Sequence, residues 1–364
     1  IEGFDDLHRP AGVLASAMRR AAKLWGADRS FFLVNGSTCG VLAGIRTLTK
    51  RGDKVIVARN SHRSVFHAIE LCGLSPSFIL PPYIERLGIF GSLTPQSVEE
   101  ALKEIPDAAA VIVTSPSYEG VISDIEGICR VAHGAGVPVL VDEAHGSHLG
   151  ISPYFPCGAV RCGADIVVQS LHKTLPALTQ TALLHIQGCH VDTARLAHQL
   201  AVFESSSPSY LLMASADLCV RALEDGTLLS GWASRLQRIE RAATAFQNLR
   251  IEPRDATDEI FDYDKSKLLI SAAGADGRHI AVQLRGAGIE TEMATRRFVL
   301  AMSGAGDDDV MIESFIAALR TADGALVPMD SSTDKPLIAP AQQLMPIERA
   351  LELPSQLVPV GEAV

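Results

Sequence analysis

The most informative segment of this sequence is Ile166-Val-Val-Gln-Ser170-Leu-His172-Lys173. An apolar run typical of a strand buried on both faces ends here directly in serine, histidine and lysine. Lysine is rarely buried without a partner, so its position at a strand end beside a histidine is unusual. Such a lysine can lose its proton and form a Schiff base with a carbonyl compound. The alternative is an ordinary surface lysine after an edge strand, and this segment alone does not decide between the two.

A second apolar run ends in the same way, in Val137-Pro-Val-Leu-Val-Asp142-Glu-Ala-His145-Gly. Ligands of parallel α/β sheets bind at the carboxyl ends of the strands, where Asp142 is expected to lie. A carboxylate at that edge can pair with a protonated ring nitrogen and keep a heterocyclic cofactor cationic. An aspartate that only caps the following turn is the alternative.

A third apolar run leads into a helix start, in Phe31-Phe-Leu-Val-Asn35-Gly-Ser37-Thr38. Backbone N–H groups and hydroxyls at a helix N-terminus can bind phosphate. Serine and threonine are also the usual N-caps of helices that bind no ligand, and that is the alternative here. Taken together, a phosphate site, an anion for a ring nitrogen and a strand-end lysine are the parts that a pyridoxal phosphate site needs.

Other chemistries lack the residues that they need. The letters from Asp142 to His145 also occur in nucleic-acid helicases, but the sequence contains no G-x-x-x-x-G-K-[ST] phosphate loop. It contains no G-x-G-x-x-G dinucleotide fingerprint either. His145 and His148 have no third ligand at a known spacing, so we expect no metal. The net charge of −10 argues against a nucleic-acid partner.

Two features of the sequence bear on location. No apolar run is long enough to span a membrane, and no secretory leader is visible, although the sequence begins at Ile1. The seven cysteines are scattered without a C-x-x-C pair, which favours a reducing cytosol over a disulfide framework. We therefore expect a cytoplasmic protein with no membrane partner.

The rest of the sequence alternates apolar runs with amphipathic stretches, which predicts a layered α/β domain. The predicted strands are Phe31–Val34, Lys54–Ala58, Ala109–Thr114, Val137–Val141, Ile166–Gln169 and Ala182–Ile186. The predicted helices are Pro10–Gly26, Thr38–Thr49, Ser64–Cys72, Thr94–Glu104, Ile125–Ala135, Asp192–Phe203, Ser209–Glu224 and Ser230–Leu249.

A smaller α+β segment is predicted after this alternation, with strands Lys267–Ala272 and Phe298–Met302 and helices His279–Gly286 and Asp307–Thr321. We therefore expect a large cofactor-binding domain over residues 1–250 and a small α+β domain over residues 251–324. Residues 325–364 are rich in Pro, Ser and Gln, with one short helical pattern near Pro346–Leu351. We expect this last stretch to be a linker or a truncated C-terminal arm.

The sequence resembles the Orn/Lys/Arg decarboxylase family of pyridoxal-phosphate enzymes, and in particular its short-form bacterial arginine decarboxylase branch. The resembling motifs are Leu7-His-Arg-Pro, Asn35-Gly-Ser-Thr, Arg59-Asn-Ser-His62-Arg-Ser, Thr114-Ser-Pro-Ser-Tyr-Glu-Gly120, Asp142-Glu-Ala-His145-Gly, Gln169-Ser-Leu-His-Lys173-Thr-Leu-Pro-Ala-Leu-Thr-Gln180 and Ser206-Ser-Pro-Ser-Tyr-Leu-Leu-Met-Ala-Ser215. The resemblance implies a pyridoxal-phosphate transferase-like α/β fold of type I. In that fold a mainly parallel sheet has flanking helices and is followed by a smaller α+β C-terminal domain.

The resemblance also implies how the cofactor, pyridoxal 5′-phosphate, is held. Lys173 would carry it as a Schiff base, and Asp142 would pair with the pyridine nitrogen. His62 would stack on one face of the ring, and the small Ala144 would pack on the opposite face. Each role has an alternative; His62, for example, could be a structural histidine.

The phosphate and the subunit interface follow from the same resemblance. Ser37, Thr38 and Ser170 would bind the phosphate, with His172 beside it or, alternatively, as a structural histidine. Ser206 would reach the phosphate of a neighbouring subunit, because the family builds shared sites at the interface of a homodimer or higher oligomer.

The substrate side of the site is implied less fully. Glu292 matches an acidic family position near the distal cation of the substrate, although it could be a solvated strand residue. His145 is a candidate contact to cofactor or substrate, and either Lys173 or His172 would return the proton to Cα.

The expected reaction is decarboxylation of a small cationic amino acid in polyamine biosynthesis, a carbon–carbon lyase reaction. Arginine is favoured, with agmatine as product, and lysine and ornithine are the alternatives. Another fold-type-I enzyme, such as an aminotransferase or an aldolase, is a second interpretation. The resemblance also leads us to expect a chain clipped at both ends, so a truncated, non-catalytic cofactor-binding homologue is a third.

Overall fold

A computed structural model describes residues 5–253, 256–326, 345–354 and 356 of the 364-residue chain. The helices are α1 Val13–Trp25, α2 Gly36–Leu48, α3 Arg63–Cys72, α4 Pro95–Glu104, α5 Ile125–Gly134, α6 Leu171–Thr174, α7 Thr193–Phe203, α8 Tyr210–Leu223, α9 Thr227–Ala243, α10 Gly277–Gly286, α11 Asp309–Ala325 and α12 Ile347–Leu351. The strands are β1 Arg29–Leu33, β2 Lys54–Ala58, β3 Ser75–Ile79, β4 Tyr83–Ile84, β5 Ile89–Phe90, β6 Ala108–Thr114, β7 Val121–Ile122, β8 Val139–Asp142, β9 Ile166–Ser170, β10 Ala182–Ile186, β11 Leu249–Ile251, β12 Asp262–Tyr263, β13 Lys267–Ala272, β14 Met293–Ala294 and β15 Val299–Met302.

The central sheet has seven strands in the order β1-β10-β9-β8-β6-β2-β3. The strands β9, β8, β6, β2 and β3 are parallel, and β10 runs against both of its neighbours. The mainly parallel sheet with flanking helices is confirmed. The strand β3 was not expected, because Pro76 within its five residues argues against a strand; as an edge strand it tolerates the missing N–H.

The carboxyl ends of the parallel strands meet at one edge of this sheet. Thr114, the last residue of β6, lies opposite Asp142, the last residue of β8. Ser170 at the end of β9 lies opposite Ala182, which in turn lies opposite Leu33 at the end of β1. The three segments that the sequence singles out therefore end along the same edge.

Helix α2 lies unusually close to the sheet, and small residues permit this approach. A Cβ atom at Gly44 would lie 2.7 Å from Leu140 Cδ1, and one at Gly40 would lie 2.7 Å from Leu33 Cδ1. Because α2 starts three residues after β1, this packing keeps the N-terminus of the helix at the carboxyl edge of the sheet.

A second sheet, antiparallel and four-stranded, has the order β11-β13-β15-β14. Helices α9, α10 and α11 pack on it or on one another. The short pair β7·β12 links the two parts of the chain, with Val121 opposite Tyr263. One continuous apolar cluster includes residues from both sheets, so the boundaries at residues 250 and 324 stay a prediction.

The predicted helix Ser230–Leu249 is too long at its C-terminal end, since α9 stops at Ala243 and Leu249 starts β11. The reason is a long-range contact to Asp323 on α11. The carboxylate of Asp323 accepts hydrogen bonds from the backbone N–H groups of Gln247, Asn248 and Leu249, at 2.9, 2.8 and 2.7 Å. These bonds favour a turn over further helix.

The C-terminal part of the chain is described only in pieces. Helix α11 extends to Ala325, and α12 lies within the predicted Pro346–Leu351 pattern. Most of the predicted arm, residues 325–364, lies outside the described residues. Of the helices that the structure describes, none combines the length and the apolar character that crossing a bilayer requires.

The turn at residues 247–249 gives the first testable prediction. Asp323→Ala should lower the free energy of unfolding by about 2–3 kcal/mol, because three backbone N–H groups lose a charged acceptor. Chemical denaturation of the purified protein measures this. Arg320→Ala, on the exposed face of the same helix, is the control and should change it by no more than about 0.5 kcal/mol. An equal effect of both substitutions would contradict the role of Asp323.

Candidate active site

A buried carboxylate lies at the centre of the carboxyl edge. Asp142, which ends β8, is 3% exposed, and its Oδ1 accepts a hydrogen bond from the N–H of Ala144 at 3.2 Å. Burial raises the pKa of Asp142, and attraction to Lys173 and His62 offsets this rise only in part. A further positive charge beside Asp142 would therefore favour its ionised form.

Lys173 lies on the single turn of α6, directly after β9, and it contacts a histidine. Its Nζ lies 3.1 Å from Nε2 of His145. Burial lowers the pKa of Lys173 against the attraction of Asp142 and Glu292. The amine is thus shifted towards the unprotonated form, which is the form that can attack a carbonyl.

His145 has a second partner on its other ring nitrogen. The Nζ of Lys267 lies 2.8 Å from Nδ1 of His145. Burial and the charges of Lys267 and Lys173 lower the pKa of His145 to about 2, so its imidazole is neutral. Burial likewise lowers the pKa of Lys267 to about 8. Sequence reasoning missed Lys267, which stands 122 residues from His145 and has no local signal beyond a lysine at a strand start.

Tyr118 and Glu292 lie at the outer side of the same cluster. The hydroxyl of Tyr118 donates a short hydrogen bond to Glu292, and its ring meets the ring of His145 edge-on at 5.2 Å. Burial and the neighbouring Glu292 carboxylate raise the pKa of Tyr118 to about 12. Tyr118 stands in one of the resembling motifs, but no role was predicted for it. The structure thus places Glu292, an exposed residue, close enough to Lys173 and Lys267 to interact with both.

His62 lies at the N-cap of α3 with a fixed ring. Its Nδ1 accepts a hydrogen bond from the N–H of Ser64 at 3.2 Å and lies 2.8 Å from the Ser64 hydroxyl. Burial lowers the pKa of His62, although the charge of Asp142 raises it. A neutral ring held in this way presents an apolar face, as stacking on a cofactor requires.

The start of α2 has the features of an anion site. The N-cap residue Asn35 donates its side-chain amide to the carbonyl of Phe203 at 3.2 Å, so no described side chain caps the helix. Ser37 is half-buried and Thr38 is exposed in the first turn. The Oγ of Ser170 is buried and has no hydrogen-bond partner among the described residues. The N–H of Gly36 already donates to the carbonyl of Gln180. The N–H groups that follow it in the first turn and the unpaired buried hydroxyl of Ser170 suit a phosphate.

The three remaining predicted site residues are Ala144, His172 and Ser206, and they differ in their burial and contacts. Ala144 is buried directly beyond Asp142. The Nδ1–H of His172 donates to the carbonyl of Thr181 at 3.0 Å. Ser206 is exposed in the loop between α7 and α8. The roles of all the predicted site residues stay predictions.

Potential metal ligands come together at the opposite edge of the sheet, in His133, Asp165 and His190. His133 and His190 each contact one carboxylate oxygen of Asp165, at 2.8 and 2.7 Å. The N–H of Val139 donates to the same carboxylate at 2.7 Å. Hydrogen bonds to the sheet, to helix α5 and to the loop of His190 therefore already engage both oxygens of Asp165.

The fold and the strand-end site together define a class, the pyridoxal-phosphate enzymes of fold type I. A lysine decarboxylase from Francisella novicida, LdcF, has the same fold with a TM-score of 0.73 and 19% sequence identity, over 84% of this chain and 50% of that one. At this identity the likeness concerns the fold alone.

The family follows from sequence comparison. The family described as "Orn/Lys/Arg decarboxylase, major domain" matches residues 1–266. The uncharacterized protein YaaO of Bacillus subtilis is 40% identical over 82% of this chain and 63% of its own length. An arginine decarboxylase of Bacillus cereus is 34% identical over 88% of this chain and 71% of its own length. The chain belongs to the Orn/Lys/Arg decarboxylase family, whose members depend on pyridoxal phosphate.

The unpaired hydroxyl of Ser170 gives a prediction that separates cofactor binding from stability. Ser170→Ala should leave the stability of the cofactor-free protein unchanged, because no hydrogen bond is lost, but should weaken pyridoxal phosphate binding roughly tenfold. Absorbance titration and denaturation measure the two effects.

The matched control is Ser147→Ala, which removes a buried hydroxyl that already has a partner, Thr174, at 3.0 Å. It should cost about 1 kcal/mol of stability and leave cofactor affinity unchanged. If Ser170→Ala binds the cofactor as tightly as the unsubstituted protein does, the proposed phosphate site is wrong.

Proposed function

We propose that this chain catalyses the pyridoxal-phosphate-dependent decarboxylation of arginine to agmatine. The observation that carries the proposal is the contact of Lys173 with His145 beside the buried Asp142. The similarity to arginine decarboxylases supports arginine, and lysine and ornithine remain alternative substrates. The chain spans 63% of the length of YaaO and 50% of the length of LdcF. The activity of a full-length relative is therefore only a proposal for this chain.

The residues present fit the cofactor. Lys173 would hold it covalently, Ser37, Thr38 and Ser170 would bind its phosphate, and His62 and Ala144 would lie against its ring. When bound, pyridoxal phosphate supplies the electron sink for the bond that breaks at Cα. The other tasks of the reaction fall to the side chains of the protein.

Asp142 would hold the ring nitrogen in its cationic form. Burial makes an isolated charge on Asp142 unfavourable, and a protonated ring nitrogen supplies the opposite charge. Asp142 would in turn stabilise the protonated ring nitrogen, because a cation buried at this edge needs an anion beside it. Asp142 would therefore contribute both affinity and a fixed charge state.

Glu292 would select a substrate with a distal positive charge. Its carboxylate lies close enough to Lys173 and Lys267 to attract both, and the Tyr118 hydroxyl orients it. A guanidinium can form two parallel hydrogen bonds with such a carboxylate, whereas an ammonium is a point charge. The proton that replaces the carboxylate at Cα would come from Lys173 or from Nε2 of His172.

A homodimer with shared sites is part of the proposal, as are a cytoplasmic location and a role in polyamine biosynthesis. Ser206 is exposed, and the adjacent helix α8 carries Leu211 and Leu218, which are 69% and 65% exposed. Residues seven apart lie on the same helix face, so these two leucines form an apolar strip next to the loop of Ser206. All seven cysteines are free, which agrees with a reducing compartment.

The decisive experiment for the reaction identifies the amine. The purified protein, loaded with pyridoxal phosphate, is incubated with arginine, lysine or ornithine, and the products are analysed by mass spectrometry. We expect agmatine and CO₂ from arginine, without any 2-oxo acid. Cadaverine as the main product would identify lysine as the substrate, and putrescine would identify ornithine.

Glu292→Gln should lower kcat/KM for arginine by about tenfold to a hundredfold, because the charge pair with the distal cation of the substrate is lost.

Two results would overturn the proposed reaction. Turnover that requires pyruvate or 2-oxoglutarate would indicate an aminotransferase. A protein that binds the cofactor but forms no amine from any of the three substrates would indicate a non-catalytic cofactor-binding homologue.

The apolar strip on α8 yields a prediction for assembly. Analytical ultracentrifugation should show a dimer. Leu211→Glu with Leu218→Glu should weaken it at least tenfold, because charges would replace two leucines that the proposed interface covers. Val310→Glu is the matched control, since Val310 is 74% exposed on α11. A monomeric unsubstituted protein, or equal dissociation in the control, would contradict the proposed interface.

A further inference from the structure

Lys267 is a buried lysine that lies outside all of the sequence motifs quoted above. It is the first residue of β13 in the second sheet and is 1% exposed. Gly120 makes room for it: a Cβ atom there would lie 2.7 Å from the Cβ and Cγ atoms of Lys267. A lysine at such depth needs partners that offset its lost hydration.

The partners of Lys267 Nζ are suited to a cation. The group lies 2.8 Å from Nδ1 of His145, donates to Sδ of Met302 at 3.1 Å and lies 6.0 Å from the ring centre of Tyr118. An imidazole lone pair and a thioether sulfur accept hydrogen bonds, and the face of an aromatic ring attracts positive charge.

Charged groups from several other segments also act on Lys267. The carboxylates of Asp264, Glu292 and Glu119 attract its ammonium group, and the charge of Lys173 repels it. Asp264 is itself buried and has one oxygen without a partner among the described residues. The surroundings of Lys267 therefore carry more negative than positive charge.

The two lysines share one imidazole, and this limits their combined charge. A neutral imidazole has one N–H donor and one lone pair. Its lone pair can accept from an ammonium, but its N–H needs an acceptor, and only an unprotonated lysine amine can accept. Since His145 is neutral, at least one of Lys173 and Lys267 must be an unprotonated amine.

The surroundings indicate which lysine keeps its proton. Lys267 has a thioether acceptor, an aromatic face and three carboxylates. Lys173 has two carboxylates, and one of them, Asp142, is itself disfavoured as an anion by burial. Burial disfavours a cation at both lysines, and more strongly at Lys267, but only Lys267 has this full set of partners to offset the lost hydration, so we assign the positive charge to Lys267.

We propose that Lys267 is a positioning residue whose ammonium donates to Nδ1 of His145, so that Nε2–H of His145 donates to an unprotonated Lys173 amine. The arrangement prepares Lys173 to capture the cofactor aldehyde. Its purpose rests on the proposed function of Lys173, but the charge arrangement itself exists in the whole chain before any cofactor is added.

The test measures the reactivity of the Lys173 amine directly. The cofactor-free chain is labelled with trace acetic anhydride between about pH 6 and about pH 10, and the Lys173 peptide is quantified by mass spectrometry. Lys267→Met should slow Lys173 labelling about tenfold near pH 7, because removal of the cation raises the pKa of Lys173 and leaves less of its amine unprotonated. The difference should vanish at high pH.

Two further variants separate charge from packing. Lys267→Arg keeps a cation and should restore labelling to within about threefold of the unsubstituted protein. Lys265→Met is the matched control, because Lys265 lies over the ring of Tyr154 at 5.5 Å instead of contacting His145. It should leave the pH profile unchanged. An unchanged or faster profile in Lys267→Met would overturn the proposal.

A second measurement needs no variant that might fail to fold. Nitrogen-15 NMR of the histidine-labelled, unsubstituted chain reports which nitrogen of His145 carries the proton. We expect the proton on Nε2, and a proton on Nδ1 would overturn the proposal. Neither measurement depends on turnover, so a protein that forms no amine could still confirm the arrangement of Lys267, His145 and Lys173.

Discussion

The loss of hydration at the carboxyl edge of the sheet is the constraint on which the site depends. Asp142 and Lys267 are buried and Lys173 is half-buried, so each charge must be offset by a neighbour or given up. The fold supplies those neighbours from distant parts of the chain. His145 follows β8, Lys173 follows β9, and Lys267 begins a strand of the second sheet. Because one neutral imidazole joins the two lysines, the protonation of one depends on the other.

Much of the fold could be predicted because its strands are fully buried. Runs such as Ile166–Gln169 and Ala182–Ile186 have no polar face, and the structure has strands at these places. The site residues at the strand ends could be predicted for the same reason, since a lysine or an aspartate directly after such an apolar run is unusual. Local patterns failed at two places. At β3, Pro76 argued against a strand that in fact forms at the sheet edge. After α9, Asp323 binds a turn that lies 74 to 76 residues before it in the sequence.

The part of the site that sequence reasoning missed depends on contacts between distant segments. Lys267 begins a short apolar strand, and the pairing of β12 with β7 brings Gly120 against it. Tyr118 stood within a quoted motif, but its contacts to His145 and Glu292 arise from three separate segments. The spacing of residues within one segment cannot predict these contacts, because the packing of the whole core decides how distant segments are placed against one another.

The most direct test of the account is the location of the covalent cofactor. Half-buried Lys173 and buried Lys267 are both amines of lowered pKa beside His145, and only Lys173 is proposed as the attachment site. The protein is loaded with pyridoxal phosphate, reduced with borohydride, digested and mapped by mass spectrometry. The account predicts a stable phosphopyridoxyl group on the Lys173 peptide and none on the Lys267 peptide. A label on Lys267, or a loaded protein with no labelled lysine, would contradict it.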